Sequence, residues 1–390
     1  MGERHNRRIM DALAAETGGK SYKAYKYSLD DDERPSLDYG ERDREIEWKR
    51  SAETNPSKTY TSLEDLYSKV NEQGDFLFTF FLDGSRHVFK VDDFGYEHSK
   101  GRSIIYPIIA GQIGVGCCKR VNRRLVPERL IHDIVLSVPD VADADGKSGF
   151  FPALTSKVNN RIADQGLNIT VADIIPYKTS KDDTKYQDRA TARIQDRMTN
   201  MEKELVATLV REKKLNQDNY LIKDGSLQYS PEDKRDKKKY QLFKNNYNWV
   251  IGVSKEFNPE ILTDSNRRPN PGFIAELPLF HRTPVARYSG DYLGDLHLAV
   301  WYVRIREQSR TRAPFDGIVK VEKILVTEEE GDKGIDSSLV DTISANIILE
   351  RNPVCYGSDL RWANHLYPVY LTEEYVKSRY FGTESFLHLF

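Results

Sequence analysis

Cysteine is nearly absent from this chain of 390 residues, which carries only Cys117, Cys118 and Cys355. With no Cys-x-x-Cys spacing, so few cysteines exclude a disulfide scaffold and a structural zinc site. Cys117 and Cys118 sit side by side in an apolar run and read as small, buried strand residues. Long hydrophobic runs are missing as well: no stretch approaches the roughly 20 apolar residues that span a bilayer. The first residues, MGERHNRR, lack the apolar segment of a secretory signal, and Asn6 stands where a myristoylation signal wants Ser or Thr. The expectation is a reduced, cytoplasmic protein with no membrane partner. A strong charge imbalance is lacking too, since the net charge is −2. That total conceals basic clusters at 119–124, 233–244, 266–268 and 304–312, and acidic ones at 30–34 and 327–332. A near-neutral sum does not exclude nucleic acid, because a local basic stripe can supply phosphate contacts. Each cluster taken alone reads as a solvated loop.

What is present suits one large globular domain or two ordinary ones. Residues 1–74 are polar and irregular, with a short amphipathic helix at 7–16 and another at 61–72, where Ser62 is placed to cap. They read as an arm or peripheral cover, a candidate for partner docking. From residue 75 the texture changes. Apolar, β-branched runs at 75–91, 103–121 and 130–140 predict an antiparallel meander. A helix over about 150–164, a strand at 168–177 and a long helix over 186–214 follow. Strands at 219–227, 248–257, 296–306 and 315–326 come next, and helices near 335–350 and 359–380 close the chain. This alternation predicts an α/β fold with a mixed sheet spanning 75–390, interrupted by a basic insertion at 230–246.

Two apolar strands run into the same tripeptide: FTFFLDGSRHVFK (78–90) and NYLIKDGSLQY (219–229). Asp-Gly is ordinary turn chemistry, so each copy alone predicts a turn. Together they place Asp83 and Asp224 at the ends of strands that, side by side in one sheet, present two carboxylates at one edge. Hydrolysis of a phosphodiester needs an activated water and stabilisation of charge on the leaving oxygen, and two hard divalent ions about 4 Å apart supply both. Mg²⁺ and Mn²⁺ take carboxylate oxygens. The helix before Asp224 repeats Ile194, Met198, Leu205 and Leu209 on one face, and Glu202 falls on that stripe while Glu204 falls off it. A glutamate on a core face is costly unless paired or metal-bound, so Glu202 is either a third ligand or a residue at the stripe's edge. Lys255, after VIGVS, is either a cation for a phosphate or alkoxide or a surface lysine. His87 and His281 read as surface histidines. Tyr356, Asn364 and His365 read as a helix cap and polar face.

The order of these motifs resembles the NurA nuclease family, which has an RNase H-like, Piwi-related fold. The matching elements are FLDGSR (81–86), Glu202, LIKDGSL (221–227), VIGVSK (250–255), GIVKVE (317–322) and a Tyr356, Leu360, Ala363 pattern. The resemblance implies a Mn²⁺- or Mg²⁺-dependent nuclease that trims 5′ DNA ends and cuts single strands. It also implies a homodimer docked on a HerA-type hexameric translocase in end processing or defence. Asp83, Glu202 and Asp224 would be metal ligands and Tyr356 a site residue. The family places a histidine directly after that alanine, whereas here Asn364 fills the slot and His365 follows. Either the helix register differs, or Asn364 coordinates, or the group is missing. Two other readings stand beside this one: a catalytically weak RNase H-like subunit that binds DNA or a motor, and a Piwi-type guide-dependent nuclease, for which the chain is short.

Overall fold

The computed structural model describes residues 8–22, 25–30, 46–74, 76–98, 102–164, 166, 168–180, 184–229, 237–259, 270–289, 296–311, 313–351, 353 and 362–390. The elements in chain order begin with α1 (Arg8–Thr17), β1 (Lys20–Tyr22), β2 (Tyr27–Ser28), β3 (Ile46–Ser51), β4 (Thr61–Ser62) and α2 (Glu64–Gln73). The long meander is β5 (Phe78–His98), β6 (Arg102–Val121) and β7 (Arg124–Pro139), followed by α3 (Phe150–Asp164), β8 (Val171–Tyr177), α4 (Tyr186–Arg211) and β9 (Tyr220–Asp224). Then come α5 (Lys237–Asn246), β10 (Val250–Ser254), α6 (Pro271–Ala275), β11 (His281–Arg282), β12 (Ala286–Tyr288), β13 (Leu298–Arg304) and β14 (Ile318–Ile324). Four helices finish the chain: α7 (Glu328–Lys333), α8 (Ser337–Leu349), α9 (Tyr367–Lys377) and α10 (Thr383–Leu387). Among the described residues no helix is long and apolar enough to cross a membrane.

The strands form one mixed sheet with the main order β3-β12-β13-β14-β10-β9-β5-β6-β7-β8. Its centre is three antiparallel strands, β7-β6-β5, joined to the parallel pair β9 and β10. This is the mixed sheet flanked by helices expected from the sequence. Alternation along the strands sorts side chains onto two faces. Phe80, Leu82 and Leu221 pack with Ile194, Met198 and Leu205 of α4. Phe81, Ile222 and Val253 pack on the other face with Ile343 of α8 and Val369 of α9. Helix α4 is held by the predicted stripe: Ala190, Ile194, Met198, Met201, Leu205 and Leu209 are buried, and Glu202 is buried among them.

Three local expectations are corrected. The first Asp-Gly-Ser is not a turn. Residues 83–85 lie inside the uninterrupted strand β5, with Asp83 opposite Gly116, Gly84 opposite Val115 and Ser85 opposite Gly114. The backbone groups that a turn would turn back on themselves are instead used in the ladder with β6. The cap position of α2 falls on Leu63, one residue beyond Ser62, whose hydroxyl still accepts from Glu64 N–H at 3.5 Å. The single helix expected over 359–380 is instead a 3₁₀ turn, Trp362–Asn364, followed by α9, which opens with Pro368 in its first turn.

Residues 1–74, expected as an arm, are woven in where they are described. Strands β1 and β2 pair with β5, and β3 pairs with β12. Ile9, Met10, Ala52 and Leu63 are all at 1% exposure or less. Of the basic insertion, 237–246 forms α5, whose Tyr240 and Phe243 pack against the main core; residues 230–236 lie outside the described residues, as do 266–268.

Candidate active site

Strand register brings the two aspartates together. Leu82 pairs with Lys223 across the parallel β5–β9 contact, so the next residues, Asp83 and Asp224, sit on adjacent strands at the same level. Leu82 faces α4, so Asp83 faces the opposite side, and Asp224 does the same one residue after Lys223. At 224–226 the tripeptide does turn: β9 ends at Asp224 and Gly225 adopts φ +82°, which glycine takes without a steric cost. Gly225 N–H donates to Val253 O at 2.8 Å, fixing the turn against β10.

Lys255 follows β10 directly. Its ammonium lies 3.0 Å from Asp224 Oδ2 and 3.5 Å from Glu373 Oε2, the latter on α9. The ammonium is buried, which by itself would favour its neutral form; Asp224, Glu373 and Asp83 outweigh that and hold its pKa above the usual lysine value. Burial likewise opposes Glu373, but Lys255 and Lys377 bring its carboxyl down to about 2. Asp83 has the opposite fate. It is 4% exposed, and burial, reinforced by the neighbouring Asp224 and Glu373 charges, raises its carboxyl well above the usual range, with Lys255 only partly countering this.

Glu202 meets this cluster from the other face. Its carboxylate pairs with Lys223 Nζ at 3.1 Å, both side chains less than a tenth exposed. Burial raises the Glu202 carboxyl despite Lys223. The helix reaches the strand so closely because residue 84 is glycine: a Cβ there would overlap the Glu202 carboxylate. The two faces meet at the ends of β9 and β10 in a cavity of about 570 Å³ lined by Asp83, Glu202, Lys223, Asp224, Lys255 and Glu373.

The second Asp-Gly-Ser loop is clamped by Glu322 of β14, at 0% exposure. Its carboxylate accepts from Ser226 Oγ (2.8 Å), Leu227 N–H (2.7 Å), Gln228 Nε2 (2.8 Å) and Lys320 Nζ (2.7 Å). Burial would raise this carboxyl, yet Lys320 and those donors keep it below the usual range.

Asn364 and His365 are separated in role. The Asn364 amide is spent on backbone: Nδ2 donates to Lys255 O at 2.8 Å and Oδ1 accepts from Gly317 N–H. It anchors the residue that bears the ammonium. His365 is 2% exposed, with its ring centroid 5.7 Å from that of Tyr370 on α9. Tyr356 and Leu360 lie outside the described residues. His87 packs against Tyr380 with tilted rings 4.9 Å apart, and His281 Nδ1 contacts Leu279 O at 2.7 Å; neither lines the cavity.

Sequence reasoning thus located Asp83, Asp224, Glu202 and Lys255 in one cavity and missed Glu373 and Glu322. Glu373 carries the same signal as Glu202, because it falls on the buried Val369, Thr372 and Val376 stripe of α9. Glu322 lies in a strand buried on both faces, where alternation gives no clue.

Hard oxygen donors suit a divalent cation, and the buried Asp83 and its neighbour Asp224 supply such donors on adjacent strands. Among the described residues, however, no group of three or more His, Cys, Asp or Glu side chains is gathered closely enough to hold a metal ion. Asp83 and Asp224 are the pair that would hold one.

A model of the NurA domain matches residues 16–373. The chain belongs to the NurA domain family. The NurA match covers the meander, both Asp-Gly-Ser segments, Lys255 and Glu373. One similar solved structure is the crystal structure of the NurA nuclease from Sulfolobus solfataricus, with 10% identity, 80% of this chain and 88% of that chain covered, and a TM-score of 0.37. Comparison with curated proteins finds no match.

Proposed function

We propose that this chain is a divalent-metal-dependent deoxyribonuclease that hydrolyses phosphodiester bonds in the cavity between α4 and α9. The observation that carries the reading is the pairing of Asp83 and Asp224 on adjacent parallel strands beside a buried lysine. When bound, divalent ions would supply an activated water and neutralise charge on the leaving oxygen. The chain's own residues do the rest. Asp83 and Asp224 would hold the cation, Lys255 would offer its ammonium to a phosphate oxygen, and Glu322 keeps the loop after Asp224 fixed. The Glu202–Lys223 pair fills the α4 side of the cavity as a charge-neutral wall. Rigid placement of this kind is what positions a phosphate for in-line attack.

The family supports extending the reading to 5′ ends and single strands of DNA as substrate, to a homodimer and to a HerA-type translocase as partner. Labelled single- and double-stranded DNA incubated with Mn²⁺, Mg²⁺ or EDTA tests it, with Asp83→Ala and Asp224→Ala as controls. Cleavage in EDTA, or cleavage surviving both substitutions, would sink the site. Wild-type protein that stays inert even with its motor present would favour a structural subunit that binds DNA without cutting it.

A further inference from the structure

We infer that Lys255 is the resident cation of the Asp83–Asp224 pair, and that Glu373 is the carboxylate that receives its ammonium when a divalent ion takes the place. The inference rests on the metal-dependent reading above and says how the chain holds such a site when no metal is bound.

Three observations carry it. First, the Lys255 ammonium is 3.0 Å from Asp224 Oδ2, so one of the oxygens that would hold a divalent ion already faces a positive charge. Two cations cannot share that oxygen without strong repulsion at such a partly buried position. Second, the second partner of the ammonium, Glu373 at 3.5 Å, lies on a different element, the helix α9, and is itself fixed by Lys377 at 2.8 Å. A tip movement of the lysine side chain would exchange one carboxylate for the other. The root of that side chain does not move with it, because Asn364 binds the Lys255 carbonyl. Third, Glu373 is at ion-pair distance from lysines, while the described carboxylates form no three-membered metal cage. Glu373 is therefore placed to hold the ammonium and not to complete a ligand set. Before substrate arrives the ammonium neutralises Asp224, the neighbour of Asp83, and its move to Glu373 sets the affinity for the ion.

The test is calorimetric titration of Mn²⁺ into EDTA-stripped, full-length protein, comparing wild type, Lys255→Met, Glu373→Gln, the double variant and Asp83→Asn. Removing the competing ammonium is expected to tighten Mn²⁺ binding on the order of tenfold, and Glu373→Gln to weaken it by a similar factor, since the ammonium then has only Asp224 to pair with. The double variant is expected to bind as tightly as Lys255→Met, the non-additivity that marks two residues acting through one contact. Unchanged or weaker binding by Lys255→Met overturns the inference. A double variant as weak as Glu373→Gln also overturns it, because Glu373 would then be a ligand itself. If wild type binds Mn²⁺ no better than Asp83→Asn, the metal-dependent reading fails first and the inference falls with it. Should Lys255→Met melt before titration, Lys255→Gln is measured in its place.

Discussion

One tripeptide serves two purposes at the scale of single residues. In residues 224–226 the glycine turns the chain, and a side chain there would be strained at φ +82°. In residues 83–85 the glycine is extended and gives room for the Glu202 carboxylate. Gly84→Ala is therefore expected to push Glu202 away and break its contact with Lys223. A buried ion pair that loses one partner costs about 3–5 kcal/mol, which chemical denaturation would read directly. The sequence pointed to Asp83 because a carboxylate after an apolar run is visible, but it suggested a turn where there is a strand, since Asp-Gly-Ser looks the same in either setting.

Asp83 also gives a pH prediction. Its folded carboxyl titrates above the unfolded value, so the stability it contributes is full below the ordinary aspartate range and is lost as pH rises through its raised value. In EDTA, the melting temperature of wild type should fall across that window relative to Asp83→Asn, whose amide carries no charge. Parallel curves for the two proteins would contradict the assignment of the burden to Asp83.

The informative element is α9. Gly114 and Gly116 on β6 have no side chains because Val376 lies directly over them: a Cβ at either position would fall 2.5 Å from a Val376 methyl. Tyr380, just beyond the helix, closes over Gly114 as well. Gly116 is also the residue opposite Asp83, so the helix that brings Glu373 is seated on the strand that faces the aspartate. Gly114→Ala or Gly116→Ala should lift α9 and move Glu373 off Lys255. Overpacking of this sort costs typically about 1–3 kcal/mol, and amide exchange along 367–377 would rise before that of α4.

Strand β14 makes the complementary point. Its Glu322 accepts four donors with no exposure, so Glu322→Ala leaves the loop amides and Lys320 without a partner. A loss of about 3 kcal/mol or more is expected, together with faster exchange at the Leu227 amide. Periodicity made both helices legible in outline, and the glutamate on the α4 stripe drew attention for that reason. Glu322 stayed hidden, because a strand packed on both faces carries no pattern that singles out a charged residue.

For the whole molecule, the main departure from the sequence reading is the first 74 residues. Low hydrophobicity suggested a peripheral arm, but chain-distant pairing is invisible in composition. Glu53 is buried at 2%, accepts from Arg282 at 2.9 Å and from Val285 N–H at 2.8 Å, and lies between α8 and the far edge of the sheet. Glu53→Ala should leave Arg282 with Asp341 as its remaining carboxylate, remove the acceptor of Val285 N–H, and lower stability by about 1–3 kcal/mol while leaving the Asp83–Asp224 cavity intact. A denaturation midpoint that falls without loss of Mn²⁺ binding in the surviving folded protein is the expected result.

The alternation at residues 223 and 224 has a further consequence. Neighbours in the chain send a cation to one side of the sheet and an anion to the other, so the strand is an electrical dipole across its own thickness. A slip of β9 by one position would put Asp224 beneath Glu202, like charge against like, and would take from Glu202 its Lys223 partner. Hydrophobic patterning fixes strand pairing in most sheets; here electrostatics forbids the alternative a second time, at the place where a one-residue error would do most harm.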